Sequence, residues 1–80
     1  MTADRMLTED EIFDKTMEDL MTRLRMSIEN PCVADAFFHQ ALGAVELAMF
    51  LAPGETDRLT AAWNAWKESY ENFQKLWKKA

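Results

Sequence analysis

Residues 55–79 read ETDRLTAAWNAWKESYENFQKLWKK. Within this stretch Leu59, Trp63, Trp66, Tyr70, Phe73 and Trp77 follow one another at intervals of four, three, four, three and four. That alternation returns one side chain per helical turn to the same face, the seam of a coiled coil or helical bundle. A helix over about 56–79 is therefore predicted. Lys75, Lys78 and Lys79 crowd its last turn, where the helix dipole favours positive charge.

Upstream, Ala52-Pro53-Gly54 breaks the chain, and before it comes an apolar stretch that starts at Pro31. Asn30 is expected to cap this second helix with Pro31 at its first position, where a missing N–H costs nothing, giving a helix over about 31–52. A further helix ends at Asn30-Pro31 and is predicted over about 8–30. Thr8 and Glu11 have the spacing of a capping box, and Leu7 and Ile12 flank them as a hydrophobic staple. Phe13, Met17, Leu20, Met21, Leu24 and Ile28 form its apolar stripe, with Glu11, Lys15, Glu18, Arg25 and Glu29 opposite.

The expected fold is all-α, one helical domain over 1–80: a three-helix bundle, or a helical hairpin plus one helix, completed by dimerisation. Residues 1–7 are expected to be flexible, and the polar, acidic composition of Met1 to Asp10 is not that of a signal peptide. Only Gly 2 and Pro 2 interrupt the 80 residues, and so short a chain cannot form lobes closing over a substrate. At this size apolar burial barely exceeds the entropy of ordering the chain, so self-association is one way to gain stability.

Charge narrows the function. The formal net charge of -5 leaves no basic face to displace counterions from phosphate, so direct nucleic-acid binding is not expected. The segment 32–52 is long enough to span a membrane, but Asp35, His39, Gln40 and Glu46 interrupt it, and no membrane association is expected. Cys32 is the only cysteine, which excludes an intramolecular disulfide and suits a reducing, cytoplasmic setting.

The second helix is apolar on nearly every side, with more circumference than two neighbouring helices can cover. A homodimer is expected, with Phe37, Ala41, Ala44, Val45, Ala48 and Leu51 as its interface.

No residue pattern points to catalysis. Asp35, His39 and Glu46 share one strip, but Glu46 lies two turns from His39, about 10 Å along the axis, too far for one metal on a single helix. Cys32, near the start of the second helix, has no Lys or Arg close in sequence to stabilise a thiolate. A Ser-His-Asp arrangement would have to recruit Ser27 or Ser69 to the single histidine, without any glycine-rich oxyanion loop. No enzyme activity, cofactor or metal is expected.

Binding is the remaining function. Trp63, Trp66 and Trp77 are candidate partner contacts, because tryptophan dominates binding hot spots, although heptad spacing also suits a core. Asp10, Asp14 and Glu18 belong to an acidic face that could engage a basic surface, with Glu11–Lys15 and Asp19–Arg23 at the spacing of ordinary helix ion pairs. The expected role is a non-catalytic protein–protein interaction module, a regulator or adaptor acting as a homodimer on a larger protein. Two alternatives stand beside it: an acidic, phage-type inhibitor that blocks a nucleic-acid-binding protein, and a small metal- or thiol-dependent catalyst.

Overall fold

The computed structural model describes residues 7–79. The predicted flexible N-terminus, apart from Leu7, lies outside them. Three α-helices make up the described chain: α1 (Glu9–Glu29), α2 (Ala34–Leu51) and α3 (Thr56–Lys79), with single 3₁₀ turns at Pro31–Val33 and Pro53–Glu55. No strand occurs among the described residues.

The start of α1 is set by local chemistry. Thr8 Oγ1 accepts from the Glu11 amide at 3.1 Å, and Glu11 Oε1 accepts from the Thr8 amide at 2.9 Å. This is the expected capping box, and Thr8→Ala should cost about 0.5–2 kcal/mol by leaving the Glu11 amide without its acceptor. Urea melts would measure the loss; no change in midpoint would show that the cap contributes nothing.

At the other end of α1 the expectation needs correcting. Asn30 does not cap α2: its Nδ2 donates to the Met26 carbonyl at 2.9 Å, closing the last turn of α1. Pro31 then opens a 3₁₀ turn, and α2 begins at Ala34, three residues later than Pro31. A carboxamide near a helix C-terminus finds unsatisfied carbonyls within reach, and here that contact replaces the N-cap.

α1 and α2 form an antiparallel hairpin whose contact runs along small residues. Ala34, Ala41, Val45 and Ala48 are buried on the inward face of α2, and Leu20 is buried on α1. Alanines let two helix axes approach closely, and the large side chains of neighbouring turns fill the remaining space. Two buried hydroxyls on α1 donate to carbonyls of the preceding turn, Thr16 to Ile12 and Ser27 to Leu24, both at 2.7 Å, so neither is left unsatisfied.

After Leu51 the chain turns through 118° into α3. The third helix therefore crosses the hairpin obliquely instead of aligning with it, and the molecule is long and thin, 53 × 27 × 14 Å. Of the two architectures expected, the hairpin plus one helix is the one formed.

The start of α3 is tied to the start of α1. The Gly54 amide donates to Glu9 Oε1 at 2.9 Å, in an approach so close that a Cβ at Gly54 would meet that oxygen at 2.5 Å. Arg58 lies 3.9 Å from the centre of the Phe13 ring, pairs with Glu55 at 2.6 Å and reaches Asp10 at 3.4 Å.

Candidate functional site

The heptad residues of α3 divide into an inner and an outer set. Leu59, Trp66 and Tyr70 are buried, Trp63 and Phe73 are half-buried, and Trp77 is exposed. The oblique crossing is the cause, because a straight seam stays in contact with its neighbours only where the helices overlap.

The inner set forms an aromatic cluster around Phe38 of α2. Its ring lies 5.4, 5.8 and 5.0 Å from those of Trp63, Trp66 and Tyr70, while Trp63 and Trp66 stack at 5.3 Å, as do Trp66 and Tyr70. Trp66 is 4% exposed, and its indole N–H donates to the Leu20 carbonyl at 2.6 Å. As a candidate partner contact it is thereby corrected: a buried indole with its N–H satisfied inside the chain belongs to the core. Trp63 closes the edge of the same cluster, with the Lys67 ammonium 5.7 Å from its ring centre.

The expected dimer interface needs the same correction. Ala41, Val45 and Ala48 face α1 inside the protomer and are almost wholly buried, leaving no surface there for a second copy. Phe37 and Ala44 are half-buried, and Leu51 alone of the six is exposed. Small residues suit close helix packing in either setting, and the neighbouring α1 takes that face.

Asp35, His39 and Glu46 are exposed on α2 but do not act together. Asp35 accepts from the Tyr70 hydroxyl at 3.1 Å instead of engaging His39, whose ring meets Phe38 edge-on at 5.8 Å. Among the described residues no three His, Cys, Asp or Glu side chains are grouped so as to hold a metal ion. Cys32 is an exposed free thiol in the 3₁₀ turn before α2, not within the helix as its sequence position suggested.

Burial, then the hydrogen bond to Asp35 and its negative charge, raise the Tyr70 phenol above its ordinary 10.0. A folded pKa above the unfolded one means that the native state favours the protonated phenol. Its contribution to stability is complete below pH 10 and is lost as pH rises from there through the folded value. Tyr70 is the only tyrosine, so tyrosinate absorbance reports it alone. Asp35→Asn should move that titration down; an unchanged titration would show that Asp35 does not act on the phenol.

Exposed apolar side chains occur on all three helices, Met21 and Ile28 of the expected α1 stripe among them, and two stretches bear on binding. One lies on α2, where Phe50 is 82% and Leu47 58% exposed, beside a groove against α1 lined by Leu7, Ile12, Ala44 and Leu51. The other is the end of α3, where Leu76 is 70% and Trp77 44% exposed. The sequence stripe pointed to Trp77, but Phe50 and Leu76 lay outside the expected site and become visible only once the buried faces are known.

On α1, Asp10, Asp14 and Glu18 are exposed. Asp10 faces Arg58, and the expected Asp19–Arg23 pair forms at 2.8 Å, with Arg23 also donating to Gln40 Oε1 on α2. Among the described residues no single helix is long and apolar enough to cross a membrane. The chain matches no family model, and neither a curated protein nor a solved structure shows significant similarity to it.

Proposed function

We propose that this protein is a non-catalytic interaction module, a regulator or adaptor that works as a homodimer and docks on a larger protein through the end of α3. The observation that carries it is the end of α3 beyond the half-buried Phe73 and Gln74. There the helix leaves the hairpin, and Leu76 and Trp77 stand exposed beside Lys75 and Lys78. A tryptophan and a leucine on a rigid helix, rimmed by charge, have the composition of a binding hot spot with a polar border. The exposed thiol of Cys32 suits a reducing compartment, so the proposed location is the cytoplasm.

A second function is supported by the exposed carboxylates Asp14 and Glu18, which form a negative face on α1. Through them the protein would act as an acidic inhibitor, occupying the basic surface of a nucleic-acid-binding protein.

Affinity capture from the native host separates the two. The partner recovered by the wild-type chain should be lost with Leu76→Ser and Trp77→Ser and retained with Asp10→Lys, Asp14→Lys and Glu18→Lys, in moderate salt. Loss with the charge reversals and retention with the α3 changes would overturn the docking site in favour of the acidic face. Screening over about 8 Å at physiological ionic strength makes the second mode salt-sensitive and leaves the first largely unaffected.

A further inference from the structure

We infer that the outer face of α2 is a self-complementary surface that takes a second copy of this chain antiparallel across a two-fold axis at Gly43. This inference deepens the dimeric part of the proposed function and rests on that part alone; it does not depend on the larger partner. The face is opposite the one buried against α1. At 100° per residue, Ala36, Gly43 and Phe50 point within about 20° of one direction, with His39 and Glu46 along one flank and Gln40 and Leu47 along the other. All seven are exposed.

Three observations point to a copy of the same helix as the occupant. Phe50 is 82% exposed, so the protomer leaves an aromatic side chain almost bare. Gly43 lies in the middle of α2 with nothing within 4 Å of where a Cβ would be, so the protomer does not need a glycine there, although glycine weakens a helix interior. A two-fold axis at that glycine allows the two backbones to approach closely, and it sets positions seven before and seven after opposite each other. Phe50 then packs over Ala36 of the second copy, large against small, twice.

The third observation is a donor and an acceptor, the His39 imidazole and the Glu46 carboxylate. His39 and Glu46 lie on the same flank, four residues before and three after Gly43. An antiparallel two-fold keeps a flank on its own side while reversing its direction, so each imidazole comes beside the carboxylate of the other copy. Within one helix the same two residues are about 10 Å apart along the axis and do not meet. On the other flank Leu47 lies against Gln40 of the second copy, whose carboxamide oxygen is already held by Arg23. One helix face is a small contact area, so the dimer should be weak and dependent on concentration.

Sedimentation equilibrium over micromolar concentrations tests the geometry. The wild-type mass should rise from 9.3 kDa towards twice that value. Phe50→Ser and His39→Glu should each weaken the dimer by about tenfold or more. Because both positions are exposed, circular dichroism should show an unchanged fold. The double variant His39→Glu with Glu46→Lys should restore association, since it sets a carboxylate beside an ammonium only between copies. Trp77→Ser should leave the dimer intact, which separates this surface from the proposed partner site. A chain that stays monomeric at every concentration, a dimer indifferent to Phe50→Ser, a double variant no better than His39→Glu alone, or a dimer lost with Trp77→Ser would each overturn the inference.

Discussion

Trp66→Ala should remove about 3–5 kcal/mol of stability, the range for truncating a buried aromatic side chain. Chains of 80 residues are stable by about 4–12 kcal/mol in all, so the loss is about a quarter of the total or more and should lower the thermal midpoint by many degrees. The loss has three sources in the structure. The indole supplies stacking with Trp63 and Tyr70, contact with Phe38, and a hydrogen bond to the Leu20 carbonyl in the middle of α1. Trp66→Phe should keep most of the ring contact and lose the N–H, so its cost should be clearly smaller. Thermal melts of the two variants give the comparison; equal losses would place the main contribution in the hydrogen bond rather than in packing.

Ala41→Asp should prevent folding altogether. Ala41 is fully buried in the cluster with Leu20, Val45 and Trp66, and a carboxylate there would have no partner. An unpaired buried charge costs several kcal/mol, comparable with the whole stability of the chain, and its protonated form still loses its hydration. Ala61→Asp, at an exposed position on α3, should change almost nothing. Circular dichroism of the two variants gives the comparison; a fully helical Ala41→Asp chain would show that this position is not packed against α1.

Helix boundaries were legible wherever the deciding contact is local. Thr8 and Glu11 bond within one turn, and Pro53 marks a break whatever the rest of the chain does. Asn30 is ambiguous in sequence because its side chain can reach either of two adjacent helix ends, and spacing alone does not rank them. Of the residues expected to bind partners, Trp77 remains available while Trp66 is core, although both lie on the same heptad seam. Periodicity identifies a face of a helix but carries no information about how far along its length that face is covered.

The sequence by itself determined three helices, their approximate limits and the apolar stripes of α1 and α3, because propensity, capping and period act over a few residues. Tertiary structure decided which side of α2 turns inward and the angle at which α3 crosses the hairpin. α2 is apolar or small around most of its circumference, so several orientations bury similar area, and the choice falls to close packing of Ala41, Val45 and Ala48 against α1. The crossing angle depends on how the aromatic rings of α3 fit around Phe38, a three-dimensional match between residues far apart in the chain. That angle carries the last turns of α3 clear of the hairpin and leaves Trp77 exposed.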